Sequence, residues 1–234
     1  MTKDGHMSRN SLESAGVVVP MLFEYVAAHS VLDCGCKHGE WLSVFRQHGS
    51  REVRGFDRGV WELLIDESEF KEVDLSRPFS IDRTYDLSMS IEVAEHLPSG
   101  AAAPLVEALT TAAPVVVFSA ALPGQGGHGH VNEQPHAYWH ALFEDRGFMK
   151  IDCLRPRIWQ DPRVAWWYRQ NMFIYANDDA LVRYPALRVE AERARATDLK
   201  LVHEEVLEQQ APVRETLRRP LRRMGFATPR AWYA

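Results

Sequence analysis

The sequence has few cysteines, no long apolar run and little excess charge of one sign. It contains three cysteines, Cys34, Cys36 and Cys153, which excludes the disulfide framework of a small secreted domain. The longest apolar run, residues 113–122, is far shorter than the ~20 residues that cross a bilayer. The polar N-terminus also lacks the apolar segment of a signal peptide. We therefore expect a cytoplasmic protein without a membrane partner.

The composition and charge are those of a folded, slightly acidic protein. With 234 residues, 46% of them hydrophobic, the chain can bury a core as one large domain, with or without an appendage. The net charge of −5 argues against binding of nucleic acid by the whole surface. One segment, residues 214–223, carries five arginines. We predict that it is a mobile basic tail, with contact to a phosphate-bearing substrate or RNA as the alternative.

Strand and helix patterns alternate along most of the chain. The predicted strands are residues 30–34, 53–56, 70–73, 85–90 and 114–120. The predicted helices are residues 11–28, 40–48, 104–111, 137–146 and 185–210. Such alternation is typical of a doubly wound α/β fold with a mostly parallel sheet. Two further strands, residues 148–154 and 167–176, are predicted to form an antiparallel hairpin at one sheet edge.

These patterns divide the chain into three parts. Residues 1–10 are predicted to be a flexible N-terminus or a cloning remnant, and residues 11–178 the folded domain. Residues 179–234 are predicted to be an extension that contains the long charged helix and the basic tail.

A glycine turn after the first strand gives the clearest functional signal. Asp33 lies at the end of that strand, and Gly35 and Gly39 follow it before a helix begins. Glycines permit a tight turn and the close approach of a ligand, and the helix N-terminus favours an anionic group. Asp57, at the end of the second strand, can accept both hydroxyls of a ribose. Asp74, after the third strand, offers an acceptor for an adenine amino group.

The order Asp33-x-Gly35-x-Lys37-x-Gly39 resembles motif I of class I S-adenosylmethionine-dependent methyltransferases, whose pattern is D/E-x-G-x-G-x-G. Lys37 departs from this pattern, because the family usually has glycine there. A non-glycine residue restricts the turn, whereas a positive charge near the cofactor carboxylate would be tolerated or helpful. The motif therefore predicts the fold more firmly than it predicts the cofactor contact at this position.

Three later segments extend the resemblance. Residues 85–98 resemble the fourth-strand motif of the family, whose end faces the transferred methyl group. Residues 118–139 and 155–176 resemble a bacterial subgroup with a GHVNEQ-type loop, associated with secondary-metabolite or glycan clusters. The resemblance implies a Rossmann-like, doubly wound sheet of seven mostly parallel strands with an antiparallel edge hairpin and a C-terminal helical extension. It also implies S-adenosyl-L-methionine as the cofactor, bound by Asp33, Gly35, Lys37, Gly39, Asp57, Asp74 and Ile91.

Acidic and histidine side chains follow the fourth and fifth predicted strands. Glu92, Glu95 and His96 have the spacing that places residues on one face of a helical turn. His128 and His130 come after the fifth strand and therefore reach the same edge of the sheet. Carboxylate and imidazole groups that converge in this way are able to hold a divalent cation.

This set is similar to the metal site of small-RNA 3′-end 2′-O-methyltransferases. The similarity implies Glu92, Glu95, His96 and His130 as ligands of Mg²⁺ or another divalent metal, which would lower the pKa of the attacking hydroxyl. The same pattern also occurs in metal-free class I methyltransferases, where its residues pack or hydrogen-bond locally. Without a metal, His130 or His96 would be the general base, with Glu92 helping to activate the nucleophile.

Four residues are expected to contact the methyl acceptor. Asn132 and Glu133 follow a glycine-rich run, residues 124–129, that we predict to be a flexible substrate loop, although Glu133 is also suited to cap the next helix. Trp167 can stack on a ring or belong to the core. Arg169, on the predicted last strand, can pair with an anionic group or lie at the surface.

Together these patterns predict a methyltransferase that acts on an oxygen of a small polar molecule, such as a sugar or a natural-product intermediate; a nitrogen acceptor also fits. RNA 2′-O-methylation is the first alternative, against which the acidic net charge argues. A cofactor-binding scaffold without catalysis is the second, motivated by Lys37. The glycine spacing disfavours an NAD-dependent oxidoreductase. The sequence leaves the oligomeric state open.

Overall fold

Seven strands form one sheet in the computed structural model, which describes residues 3–59 and 62–196. The strands are β1 (Ser30–Cys34), β2 (Glu52–Asp57), β3 (Phe70–Glu72), β4 (Leu87–Ile91), β5 (Val115–Ser119), β6 (Met149–Ile151) and β7 (Phe173–Ala176). Their order across the sheet is β3-β2-β1-β4-β5-β7-β6. Strand β7 runs antiparallel to both β5 and β6, whereas the other neighbours are parallel. The predicted Rossmann-like sheet with an antiparallel edge hairpin is therefore confirmed.

Helices cover both faces of this sheet. The helices are α1 (Lys3–Phe23), α2 (Glu40–Gln47), α3 (Ala102–Ala112), α4 (His136–Glu144), α5 (Arg155–Ile158), α6 (Trp166–Asn171), α7 (Asp178–Arg183) and α8 (Pro185–Ala196). One apolar cluster packs α1, α2 and α8 on one face, and a second packs α3 and α4 on the other. The central strands β4 and β5 are buried along their whole length, as the apolar sequence of a parallel strand covered on both faces requires.

The first helix starts earlier than the sequence predicts. A start at Ser11 was expected because serine is a common N-cap, but α1 begins at Lys3 and continues through Pro20 to Phe23. The reason is tertiary: the Ser11 hydroxyl hydrogen-bonds the Tyr168 hydroxyl at 3.0 Å. A helical serine can keep its place in a helix interior when a distant partner uses its hydroxyl.

The largest local error of the sequence prediction concerns the segment before β7. Residues 167–176 were predicted to be one strand, but the segment forms helix α6 and then the short strand β7. Aromatic side chains favour strands only when they find a pleated, half-buried surface. Here Tyr168 packs its ring edge-on against Trp41 at 5.4 Å, and the Ala165 N–H donates to the Ser14 hydroxyl. Trp167 and Arg169 therefore lie on a helix and not on a strand.

The remaining predictions about the chain have mixed outcomes. The three cysteines are buried free thiols. Helix α8 forms the first part of the predicted long helix 185–210, and the rest of that prediction, with the arginine-rich residues 214–223, lies outside the described residues. None of the described helices is long and apolar enough to span a membrane.

Candidate active site

The carboxyl end of β1 leads into the predicted glycine turn. Gly35 and Gly39 adopt φ angles of 97° and 82°, which side chains of L-residues rarely tolerate. A Cβ atom on Gly35 would lie 2.2 Å from the Val93 side chain, and one on Gly39 would lie 3.0 Å from Ile65. Glycine is therefore required at Gly35 both by backbone conformation and by space, and at Gly39 mainly by backbone conformation.

Asp33 lies directly beneath this turn. Its side chain is 2% exposed, and its Oδ1 atom has no hydrogen-bond partner among the described residues. Burial, followed by the charges of Asp57 and Glu40, raises the pKa of the Asp33 carboxyl well above its ordinary value. Because buried acceptors in native proteins are nearly always paired, this oxygen is suited to accept a hydrogen bond from a bound ligand.

The ends of the next two strands carry the other predicted cofactor contacts. Asp57 Oδ2 accepts the Lys37 N–H at 2.7 Å and Oδ1 accepts the Arg58 N–H at 2.6 Å. Each oxygen keeps a second lone pair for a ligand hydroxyl. Burial raises the pKa of Asp57, and the two backbone N–H groups oppose that rise. Asp74 accepts hydrogen bonds from the hydroxyl and N–H of Ser76, which lower its pKa and hold it in a local turn.

Glu92 follows Ile91, the buried last residue of β4, and has an unusual backbone. Its φ angle of 52° lies in the left-handed region that non-glycine residues avoid. Two amides hold its carboxylate: Asn171 Nδ2 donates to Oε1 at 3.2 Å, and Gln125 Nε2 donates to Oε2 at 3.3 Å. Burial raises the pKa of Glu92 against these hydrogen bonds. Strain of this kind is tolerated where the surroundings fix the residue, often at functional sites.

Three of the four predicted metal ligands come together beside Glu92. One ligand atom from each of Glu95, His96 and His130 lies within 4.8 Å of the other two. Among the described residues, neither carboxylate oxygen of Glu95 has a hydrogen-bond partner. Burial, and then the charge of Glu92, raises the pKa of Glu95 well above its ordinary value. Glu92 itself is outside this trio.

Both imidazoles in the trio have one nitrogen held by an acceptor. His96 Nδ1 lies 3.3 Å from the Gly129 carbonyl, and His130 Nδ1 lies 2.8 Å from Glu133 Oε1. If each Nδ1 carries the proton, each Nε2 is left with a lone pair. Burial and the neighbouring His130 lower the pKa of His96. This is the arrangement in which histidines bind a metal or accept a proton.

The glycine-rich loop supplies the Gly129 carbonyl that bonds His96, and it leads directly into His130. Glu133 accepts the N–H groups of Gly124 at 2.7 Å and Gly126 at 2.8 Å as well as His130 Nδ1. A Cβ atom on Gly127 would lie 2.2 Å from His130 Nε2, so glycine leaves room for the ring. Glu133 therefore fixes the loop and the imidazole together.

The predicted acceptor contacts divide into two groups. Glu133 and Asn132 are engaged within the loop: Asn132 Nδ2 donates to the Ala94 carbonyl at 3.3 Å. Trp167 and Arg169 instead line a cavity of about 210 Å³ between α1 and the segment before α6. Arg169 Nη1 also donates to the Trp159 carbonyl at 2.9 Å.

Sequence reasoning assigned no role to Gln125, His136 or Asn171. Gln125 lies inside the glycine-rich run, which was predicted to be a flexible loop and therefore gave Gln125 no fixed partner. Asn171 is buried at the end of α6 and joins Glu92, Gln125 and His136 through its amide. Asn171 is one of three consecutive polar residues, 169–171, and the sequence does not show which of them the fold brings to Glu92.

The sequence matches no protein-family model and no curated protein. Solved structures do resemble this one. The methyltransferase domain of the bacterial protein CtHen1-C shares 18% identity, covers 72% of this chain and 98% of that domain, and superimposes with a TM-score of 0.53. Magnesium protoporphyrin IX methyltransferase from Synechocystis, solved with S-adenosylhomocysteine, shares 15% identity over 76% of this chain and 89% of its own, with a TM-score of 0.51.

An S-adenosylmethionine-dependent methyltransferase from Mesorhizobium loti gives 18% identity over 70% of this chain and 98% of that one, with a TM-score of 0.50. At such low identity, these similarities establish the fold alone, and the function has to be argued from the residues of the site. The chain has the fold of class I S-adenosylmethionine-dependent methyltransferases. The Synechocystis enzyme has been solved with both the methyl donor and its product.

Proposed function

We propose that this protein is an S-adenosylmethionine-dependent methyltransferase that acts on an oxygen of a small polar acceptor. The observation that carries this proposal is the juxtaposition at one sheet edge of two features. One is the glycine turn with the unpaired, buried Asp33 oxygen. The other is the pair of oriented imidazoles, His96 and His130.

The residues around the glycine turn fit the cofactor. Gly35 and Gly39 let the cofactor approach the backbone of the turn closely. Asp57 has lone pairs that can accept the ribose hydroxyls. The Asp33 oxygen offers an acceptor to the amino group. Asp74, as an acceptor for the adenine amino group, and Ile91, as a further cofactor contact, stay predictions. When bound, the cofactor supplies a methyl group on a positively charged sulfur.

The imidazoles provide the base for the reaction. The cofactor would supply its methyl group to an acceptor oxygen and leave as the neutral thioether, so the acceptor hydroxyl would need a base for its proton. The hydroxyl proton passes to Nε2 of His130 or His96, whose Nδ1 is held by Glu133 or the Gly129 carbonyl. We favour His130, because the Glu133 carboxylate stabilises the imidazolium that forms.

A divalent metal is the alternative occupant of the same trio, and with both imidazoles as its ligands neither would serve as the base. Glu95 offers carboxylate oxygens, beside which lie Glu92 and the Ala121 N–H, and both histidines donate Nδ1–H to an acceptor, as metal-ligating histidines usually do. Mg²⁺ or Mn²⁺ held there would lower the pKa of an acceptor hydroxyl. Glu92, the fourth predicted ligand, is already held by two amides, so its direct ligation stays a prediction.

Trp167 and Arg169 line a half-open surface pocket of about 210 Å³, a volume of roughly seven water molecules. Its lining includes none of Asp33, Glu92, Glu95, His96 and His130, so acceptor binding there stays a prediction. Trp167 and Asn171 are four residues apart on α6, so they share a face about 6 Å apart along the axis. An acceptor stacked on Trp167 would therefore lie one helical turn from the residue that holds Glu92.

Calorimetry with S-adenosylhomocysteine tests the proposal directly. Wild-type protein is expected to bind it with micromolar affinity, and Gly35→Ala, which places a Cβ 2.2 Å from Val93, is expected to lose binding. Gly147→Ala is the matched control, because Gly147 also has a positive φ but lies in open space at the far side of the domain. Absence of binding by the folded wild-type protein would refute the proposal.

RNA 2′-O-methylation is the second candidate, and the Glu95, His96 and His130 cluster is the observation that favours it. It requires that methylation of a short RNA be abolished by a chelator and weakened steeply by salt. A sugar or natural-product acceptor requires turnover without RNA. Tight cofactor binding with no turnover on either class of acceptor would favour the non-catalytic scaffold.

A further inference from the structure

Lys37 keeps the backbone shape of the glycine turn although it is not glycine. Its φ angle is 52°, in the left-handed region that costs an L-residue free energy. The Lys37 N–H nevertheless donates to Asp57 Oδ2 at 2.7 Å, as part of the contact between the turn and β2. The substitution therefore adds a long cationic side chain at the centre of the site and leaves the turn in place.

The charge of Lys37 affects the pKa values of two groups that follow different strands, Asp57 and His96. It opposes the rise in the pKa of Asp57, at the end of β2, and it lowers the pKa of His96, after β4. Strand β1, which leads into Lys37, lies between β2 and β4 in the sheet. The Lys37 backbone therefore lies between the two halves of the candidate site, and its half-buried side chain is close enough for its charge to act on both.

The surroundings of Lys37 are otherwise acidic. Asp33 and Glu40 are buried within three or four residues of it, and Asp57 contacts its backbone. Such a site repels an anionic group unless a cation offsets the carboxylates. The amino acid end of S-adenosylmethionine is a zwitterion, which needs an acceptor for its ammonium group and a cation for its carboxylate. Asp33 Oδ1, buried and unpaired, provides the acceptor.

We propose that Lys37 binds the carboxylate of the cofactor's amino acid end, and so makes the site select ligands that retain this end. This inference rests on the proposed function. It assigns to Lys37 a role that a glycine cannot perform, and it explains why a strained residue is tolerated in the turn. A charge-assisted hydrogen bond in a partly buried site is among the stronger polar contacts.

Two ligands that differ only at that end test the inference. S-adenosylhomocysteine carries the amino acid, whereas 5′-methylthioadenosine is the same adenosine thioether without it. In calorimetry at one salt concentration, Lys37→Met is expected to bind S-adenosylhomocysteine about tenfold more weakly and methylthioadenosine unchanged. Lys37→Arg, which keeps the charge, is expected to stay within about threefold of wild type for both ligands. Lys150→Met, on the edge strand β6, makes the same change in net charge and is expected to affect neither ligand.

The outcomes separate this inference from the proposed function. Unchanged binding of S-adenosylhomocysteine by Lys37→Met would overturn the role of Lys37 and leave the methyltransferase proposal intact. An equal loss for both ligands would also overturn it, because the substitution would then have damaged the turn itself. Wild-type protein that binds neither ligand would overturn both proposals. Circular dichroism of each variant confirms that it is folded.

Discussion

Four of the ten histidines form two pairs, His96 with His130 and His136 with His140. The first pair meets edge to face with ring centroids 4.8 Å apart at the rim of the sheet. The second pair lies one turn apart on α4, and each ring packs edge-on against Phe173. The same residue type thus lines a candidate reaction site in one place, here called the rim pair, and packs as half-buried rings against the core residue Phe173 in the other, here called the interior pair.

The difference lies in what the ring nitrogens face. In the interior, His136 Nε2 bonds the Asn171 amide oxygen, and His140 Nδ1 bonds the Tyr175 hydroxyl. Burial is the main cause that lowers the pKa of His136 to about 4 and that of His140 to about 3, so both are neutral near pH 7. At the rim, acceptors hold only Nδ1 of each ring. A histidine is available for chemistry when one nitrogen is fixed and the other is left for a ligand.

The largest expected effect comes from deleting a ring of the rim pair. His130→Ala is expected to weaken Mn²⁺ binding at least about 100-fold, because it removes a ligand of the trio, while the melting temperature changes little. His136→Ala is expected to do the reverse. Calorimetric titration with Mn²⁺ and thermal unfolding measure the two effects. His128→Ala is the control, since His128 is exposed in the same loop and outside the trio; an equal loss there would contradict the assignment.

The interior pair is expected to make stability depend on pH. Because its pKa values fall below the ordinary 6.5 on folding, the unfolded chain binds more protons at acidic pH. Stability is therefore complete above about pH 6.5 and is lost as the pH falls toward 4. The loss for one histidine is about 2 kcal/mol at pH 5.

Urea unfolding of wild type and His140→Gln between pH 7.5 and 5 measures this dependence. The variant keeps a polar partner for Tyr175 but cannot be protonated, so it is expected to lose about 2 kcal/mol less than wild type over this range. His29→Gln, at an exposed position, should follow wild type. Parallel curves for wild type and His140→Gln would show that His140 is not buried as a neutral ring.

Glu133 tests whether the rim pair depends on its supporting carboxylate. Glu133→Gln keeps the side-chain size but removes the charge beside His130 Nδ1, and we expect about tenfold weaker Mn²⁺ binding. Glu144→Gln, at an exposed position on α4, makes the same charge change as a control. Identical affinities for the two variants would mean that Glu133 serves the loop backbone alone.

The sequence predicted the rim better than it predicted the interior. Asp33, Gly35, Gly39 and Asp57 could be predicted because each follows a strand end in a recognisable order, and parallel strand ends meet at one edge. The meeting of Glu95, His96 and His130 follows from the same rule.

What could not be predicted depends on tertiary contacts. The segment that became α6 has strand-like aromatics, and only packing against α1 and α2 makes it helical. That change of secondary structure moves Asn171 to a helix end, where it reaches Glu92 and His136. The local sequence pattern around Asn171 does not indicate that it connects Glu92 with His136.

Asn171 bonds His136 on one side and Glu92, beside the Glu95, His96 and His130 cluster, on the other, and it gives the smallest expected effect. Its amide oxygen accepts from His136, whereas its Nδ2 donates to Glu92 and Gln125. A double-mutant cycle of Asn171→Ala and His136→Ala in urea unfolding should give a coupling of about 0.5 kcal/mol. Asn171→Asp separates the two sides, because it keeps the acceptor for His136 but places a second carboxylate against Glu92. Because it also removes the amide N–H that donates to Glu92, we expect Mn²⁺ affinity to change by about threefold or less and the coupling to His136 to be preserved. Full additivity in the cycle would mean that the hydrogen bond between Asn171 and His136 contributes nothing measurable to stability.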